Sequence, residues 1–267
     1  MKDNRKTAGA AKPYTTGSPT DENTIRNSLV FFGVLVLAGF MCFIVCSMTS
    51  FKSVILRVLV NVIIEALILV IFYAKGAEYG TDGVARGEIL YQHIQKGQEV
   101  SAGEKSVPFH PLKGFVVGAL GTLIPLILAV ILAFSAERQM TNAGVLPSWM
   151  ETYLRRSEIG DALAGYTQSI PINATDIVRI IVRIMMMPLV TMAGAENRDL
   201  LLILERISPL IVLFPAASYG IGYLTGPSKR RTIHKEIADN NRKRISRERR
   251  ARKARRNPVA RTPEQLN

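Results

Sequence analysis

The sequence has few of the residues that usually carry catalysis or metal binding. Its 267 residues include three His, two Cys and one Trp. His93, His110 and His234 are far apart and lack the spacing of metal ligands. The sequence contains neither a phosphate-binding loop nor a Ser, His and Asp arrangement that its spacing supports. It therefore supports no enzyme class, and we expect no metal site and no small-molecule cofactor.

Long stretches without charge are what the sequence has instead. Residues 29–48 and 114–136 contain no Asp, Glu, Lys or Arg, and each has about the ~20 residues that an α-helix needs to cross a bilayer. The predicted spans are residues 29–48, 54–74, 114–134 and 210–225. The first is longer than the roughly 7 to 15 apolar residues of a secretory signal, so we expect a span there. Cys42 and Cys46 lie within it and are interpreted as small apolar side chains.

The distribution of Lys and Arg predicts the topology. Residues 227–267 hold 15 Lys and Arg against 4 Asp and Glu, which is most of the net charge of +13. Cations next to spanning helices stay on the cytoplasmic side. The N-terminal segment and the loop 75–113 also carry several Lys and Arg. The pattern therefore predicts a cell (plasma) membrane protein with four crossings and with both termini in the cytoplasm.

A fifth hydrophobic segment, residues 177–195, is harder to assign. Arg179 and Arg183 share one face of a helix there, and each opposes insertion by about 2.5 to 3.5 kcal/mol at the centre of a span. We therefore expect residues 177–207 to be interfacial or re-entrant. If residues 177–195 span after all, the number of crossings is five and the N-terminus lies outside.

The predicted fold class is an all-α, polytopic membrane helix bundle of four to five hydrophobic segments. It includes an amphipathic or re-entrant helix and a basic cytoplasmic C-terminal helix or tail. Residues 1–27 are polar and are expected to be a disordered cytoplasmic N-terminus. Residues 28–226 form the predicted membrane domain, and residues 227–267 form the basic tail.

The tail is dense in arginine and has three interpretations. Its cations are Arg242, Lys243, Arg244, Arg247, Arg249, Arg250, Arg252, Lys253, Arg255 and Arg256. They could fix topology and rest on anionic lipid, contact the phosphates of RNA or the ribosome, or bind an acidic protein. Topology needs only a few charges, so the excess favours a polyanionic partner.

Polar residues within the hydrophobic segments are the candidate intramembrane site. Arg57, Asn61 and Glu65 recur every four residues and form one helical stripe. Our hypothesis is that Glu65 meets Arg179 or Arg183 and that Arg57 meets Glu205, around a polar groove. These residues either serve structural pairing and extension towards the headgroups or line a working path.

Three glycines are candidates for helix packing in the third span. Gly114 and Gly118 have the GxxxG spacing, and Gly121 follows, which allows close contact between helix backbones.

Two functions remain open on the sequence alone. The first is a non-enzymatic scaffold or membrane-protein assembly factor, whose basic tail binds anionic lipid or RNA/ribosome and which contacts other membrane proteins. The second is a membrane subunit of a small-solute transporter with an intramembrane polar path.

Overall fold

The computed structural model describes residues 12–48, 51, 53–137, 152–153, 156, 173–194 and 197–256. Within them the chain forms ten α-helices of five or more residues and no strands. These are α1 (Thr24–Met48), α2 (Val54–Gln95), α3 (Ala102–Ser106), α4 (Lys113–Gly121), α5 (Leu123–Ser135), α6 (Ala174–Met185), α7 (Met187–Ala193), α8 (Arg198–Val212), α9 (Phe214–Leu224) and α10 (Gly226–Arg256). The all-helical class is thereby confirmed for the described part of the chain.

Three helical segments are long and apolar enough to cross a membrane. They are α1, α2 and the continuous stretch Arg198–Leu224, which comprises α8 and α9. A fourth is possible if α4 and α5 form one span. Together the two helices are long and apolar enough, although the chain bends by 56° at Thr122. The expected span at residues 210–225 therefore begins earlier, since the helix starts at Arg198 and includes Glu205.

The amphipathic segment is α6 together with α7. The twelve residues of α6 reach only about 18 Å at 1.5 Å per residue, which is too short for a span. Its isoleucines at 177, 180 and 181 are exposed, whereas Arg179 and Val182 are buried. The helix breaks at Met186, and Pro188 lies in the first turn of α7, where its missing N–H removes no helical bond.

α2 continues far beyond its apolar half. Its 42 residues extend about 60 Å, roughly twice the thickness of a bilayer core. In the half between residues 54 and 74, large apolar side chains such as Ile55, Leu67 and Val70 point outward. The half between residues 75 and 95 is polar. The sequence predicted a loop at residues 75–113, but the helix runs unbroken to Gln95.

Glycines bring α2 and α9 into direct backbone contact. A side chain at Gly76 would collide with the carbonyl of Tyr219, and one at Gly80 with the carbonyl of Tyr223. From the other helix, Gly222 lies against the carbonyl of Tyr73 in the same way. Close approach of this kind needs residues without a Cβ. These glycines therefore set the separation of the two helices.

The N-terminal segment is held against the polar end of the bundle. The backbone N–H groups of Thr15 and Gly17 donate to the carbonyls of Gly87 and Phe109, at 3.2 and 3.0 Å. The ring of Tyr14 packs edge-on against Phe109. The expectation of disorder is thus wrong for residues 12–23, because this stretch satisfies its backbone groups by docking. Residues 1–11 lie outside the described part of the chain.

Candidate functional site

The basic tail begins as a helix that is anchored to α2. Glu88 accepts hydrogen bonds through Oε2 from Nε and Nη2 of Arg230, at 3.2 and 3.0 Å. Nε2 of His234 lies 2.7 Å from Oε1 of the same carboxylate. The side chain of Glu88 is only 7 % exposed, so its bond to a guanidinium is stronger than a solvent-exposed ion pair. This contact fixes the first turns of α10.

α10 leaves the bundle in the same direction as α2. Oγ of Ser218 in α9 donates to the carbonyl of Leu69, at 2.7 Å, and farther along both helices Arg230 meets Glu88. Residue numbers therefore rise together on the two helices, which makes them parallel. The polar half of α2 and α10 thus point away from the apolar half of α2.

The cations beyond residue 241 are exposed. This group comprises Arg242, Lys243, Arg244, Arg247, Arg249, Arg250 and Arg252. The side chains of Lys253, Arg255 and Arg256 and all of residues 257–267 lie outside the described part of the chain. Two local ion pairs, Arg242–Asp239 at 3.8 Å and Arg244–Glu248 at 3.5 Å, are exposed and therefore weak. Successive helical residues are about 100° apart, so the cations surround the helix.

The second candidate site is a buried charge cluster between α6 and α8. Both arginines of α6 contact one carboxylate oxygen, Oε1 of Glu205: Nε of Arg179 at 2.9 Å and Nη2 of Arg183 at 2.6 Å. Arg179 also pairs with Asp176 at 3.0 Å. The side chain of Glu205 is 2 % exposed, and that of Arg179 is 7 % exposed. The cluster therefore joins the two helices through shielded charges.

The predicted pairing of these arginines was wrong. They bind Glu205 and not Glu65, and Glu205 is accordingly not the partner of Arg57. The physical reason is helix packing: α6 lies against α1, α5 and α8, whereas α2 lies against α7 and α9. The sequence contains two candidate carboxylates, Glu65 and Glu205, and the packing of α6 on α8 places the arginines next to Glu205.

The polar stripe of α2 forms a separate group. Asn61 is fully buried, donates to the carbonyl of Arg57 at 2.7 Å, and accepts from Sγ of Cys46 at 3.3 Å. The guanidinium of Arg57 fills the space that a side chain at Gly194 would take, where φ is +79°. Glu65 borders a small cavity inside the bundle. The six polar residues named from the sequence therefore lie in two groups, on α2 and across α6 and α8.

The three glycines named for packing all lie at helix contacts. A side chain at Gly114 would meet the ring of Tyr223, and one at Gly121 would meet Phe31. A Cβ at Gly118 would come within 3.1 Å of the carbonyl of Ala216. α4 thus packs against α9 and α1 through these positions.

Several important residues were missed by the sequence analysis. Lys113 is 1 % exposed and pairs with Asp21 at 3.1 Å, but the sequence marked it only as a charge that sets topology. The series Gly76, Gly80, Gly83 and Gly87 was also missed. Its spacing of four, three and four residues places all of them on one helix face, and this periodicity was the signal available.

The fold and these contacts define an all-helical protein with three or four helices that could cross a membrane. No protein family, no curated protein and no solved structure matches this chain. Its function is therefore argued from its own residues.

Proposed function

We propose that this is a multi-pass protein of the cell membrane, with both termini in the cytoplasm, that acts as a non-enzymatic scaffold and binds RNA, such as that of the ribosome, through α10. The observation that carries the proposal is the anchored, parallel course of α10 beside α2. It separates the cations beyond residue 241 from the apolar helices by a fixed distance.

That distance follows from the helical rise. Fourteen residues separate Ala74, the end of the apolar half of α2, from Glu88, which is about 21 Å at 1.5 Å per residue. Eight residues separate His234, at the level of Glu88, from Arg242, which adds about 12 Å. An average tilt of about 20° shortens the total only slightly. The cationic part of α10 therefore begins about 30 Å from the end of the apolar segment.

This distance favours RNA over lipid headgroups. Electrostatic attraction to an anionic membrane decays over a Debye length of about 8 Å at physiological ionic strength. Cations that start about 30 Å away gain almost nothing from the bilayer in which their own helices sit. A flat membrane surface would also contact the cations on only one face of α10, although cations lie on all faces of this helix. A folded RNA presents phosphates on several sides and fits that distribution better.

The transporter alternative has weaker support. A polar path needs the intramembrane polar residues to be contiguous and open to water. Within the described residues they form two groups, and Glu205 holds Arg179 and Arg183 in a closed cluster. We therefore propose the scaffold function alone.

The test uses the full chain in vesicles of neutral lipid and a fluorescent, structured ribosomal RNA fragment, with co-flotation of the RNA as the readout. The distal variant replaces Arg247, Arg249 and Arg250 with Gln. The matched control replaces three exposed cations near the bundle, Lys229, Arg231 and Lys235, with Gln and so removes the same charge, while Arg230 keeps its bond to Glu88.

RNA should float with the wild-type vesicles and be released by salt. Each phosphate contact contributes about 0.7 to 0.9 to the slope of log affinity against log salt, so the distal variant should lose about 2 to 3 from that slope. The proximal variant should lose clearly less. Equal losses in both variants, or no co-flotation from neutral vesicles, would contradict the proposal. Binding that required anionic lipid in the vesicle would instead identify the membrane as the partner.

A further inference from the structure

Glu65 lies near the middle of the apolar half of α2. It is eleven residues from Val54 and nine from Ala74, which corresponds to about 16 and 14 Å along the helix. Both distances are close to half of the ~30 Å hydrocarbon core. An ionisable side chain at this depth is a candidate for a functional site.

Five helices enclose a small cavity beside this carboxyl. Its walls include Leu35 and Cys42 of α1, Ile68 of α2, Met185 of α6 and Ile211 of α8. Pro215 of α9 completes the lining on another side. Its volume of about 30 Å³ leaves room for about two water molecules, given the ~10–15 Å³ that each requires. Among the described residues that line the cavity, Glu65 is the only acidic or basic one.

The charged side chains of α6 and α2 contact residues other than Glu65. On α6, Arg179 and Arg183 bind Glu205 of α8. On α2 itself, Arg57 is eight residues away, about 12 Å along the helix, and its guanidinium lies against Gly194. Its Nε is buried and has no hydrogen-bond partner among the described residues.

The neighbouring α1 and α7 contribute neutral groups. Cys42 borders the cavity, and Cys46 lies one turn farther along α1, where its thiol donates a hydrogen bond to Asn61. On α7, the hydroxyl of Thr191 forms a hydrogen bond with Cys46. Within the described part of the chain, Glu65 therefore has no ion pair and no hydrogen bond.

A carboxylate without a counter-charge is far less stable at membrane depth than the neutral acid. We propose that Glu65 is a proton-binding site, protonated in the closed bundle and able to release its proton to water in the cavity. The ligand is a proton and not a metal cation, because the lining offers sulfur and hydrocarbon where Na⁺ or K⁺ would need several oxygens. This proposal is independent of RNA binding by α10.

Infrared difference spectroscopy on the full chain in vesicles tests the protonation state directly. The spectrum of Glu65→Gln is subtracted from that of the wild type at several pH values between about 6 and about 9. This range lies well above the pKa of ~4.3 of a Glu side chain in water. Glu99→Gln, at an exposed position on the polar side, is the matched control. Gln resembles the neutral acid in shape and charge, so Glu65→Gln should unfold at the same temperature as the wild type.

At neutral pH the Glu65→Gln difference should contain the C=O stretch of a protonated carboxylic acid, and the Glu99→Gln difference only carboxylate bands. The acid band should weaken towards the alkaline end of the series. A carboxylate signal from Glu65 at neutral pH would overturn the proposal, and a shift of that signal by Na⁺ would identify a cation site instead. A second measurement needs no variant: a hydrophobic carbodiimide should modify Glu65 of the wild type at about pH 6 and less at about pH 9. No adduct at either pH would also overturn the proposal.

Discussion

Replacing Lys113 with Met should be among the most destabilising single changes in this protein. The side chain is 1 % exposed, and Nζ lies 3.1 Å from Oδ2 of Asp21. It also lies 2.9, 2.8 and 3.0 Å from the carbonyl oxygens of Ser106, Val107 and Pro108. An ammonium group has three protons, so these four acceptors use its full capacity. One side chain thus joins the N-terminal segment, the loop before α4 and α4 itself.

The expected loss of stability comes mainly from the buried charge that Lys113→Met leaves unpaired. Methionine keeps most of the volume, so the cavity contribution is small, but Asp21 remains 2 % exposed without its cation. Removing one partner of a buried ion pair costs about 3 to 5 kcal/mol. Among the described residues, the carboxylate of Asp21 then keeps only the hydrogen bond from Oγ1 of Thr24, at 2.8 Å. We therefore expect Lys113→Met to lower the free energy of unfolding by about 3 to 5 kcal/mol.

A double-mutant cycle separates this charge effect from general damage to the loop. In the Lys113→Met background, Asp21→Asn removes the unpaired charge and should restore part of the loss, with a coupling of about 1 to 3 kcal/mol. The assay is equilibrium unfolding of the full chain in detergent, with protease cleavage within residues 12–23 as a local readout. Strictly additive effects, or a loss below about 1 kcal/mol for Lys113→Met, would refute the reasoning.

Three further substitutions test other contacts. Gly80→Ala places a methyl group against the carbonyl of Tyr223 and should lower the unfolding free energy by about 1 to 3 kcal/mol. Gly33→Ala, where the added methyl group meets open space, should leave the unfolding free energy unchanged. Equal losses of unfolding free energy in the two variants would exclude the backbone contact as the cause. Glu205→Gln removes the carboxylate that Arg179 and Arg183 share, while Arg179 keeps its pair with Asp176. The change should lower the unfolding free energy by about 1.5 to 3 kcal/mol in the same assay, and an unchanged value would contradict this. Glu88→Gln weakens the hydrogen bonds to Arg230 and His234, each worth about 1.5 to 3 kcal/mol. The distribution of distances between spin labels at the polar ends of α2 and α10 should therefore broaden. An unchanged distribution would argue against the anchor.

The apolar helices were predictable because a stretch of about 20 residues without charge is typical of a membrane span and rare in other helices. The polar half of α2 was not predictable in this way. Glycine is a poor helix former, so Gly76, Gly80, Gly83 and Gly87 favoured a loop by propensity alone. The helix persists because α9 packs against Gly76 and Gly80, and Phe109 and the N-terminal segment pack against Gly83 and Gly87. This stabilisation comes from residues that are distant in the sequence.

The charged contacts show a second limit of sequence analysis. That Arg179 and Arg183 share one face followed from their spacing, but their partner did not. From the sequence, Glu65 and Glu205 were equally plausible ion-pair partners for the two arginines. Only the packing of α6 on α8 shows that the partner is Glu205. Lys113 was overlooked for a similar reason, because its burial depends on an N-terminal segment that was expected to be disordered.

The anchor at Glu88 also explains how so cationic a helix can form. Like charges three or four residues apart destabilise a helix by about 0.2 to 0.5 kcal/mol per pair, and the tail holds several, among them Lys243 with Arg247 and Arg249 with Arg252. As a separate peptide the tail would also have to nucleate its first turn, which is unfavourable. α10 avoids that step because it continues from α9 and is fixed by Arg230 before the repulsive region begins. Bound phosphates would relieve the remaining repulsion, so the proposed RNA partner would stabilise the helical form of the tail.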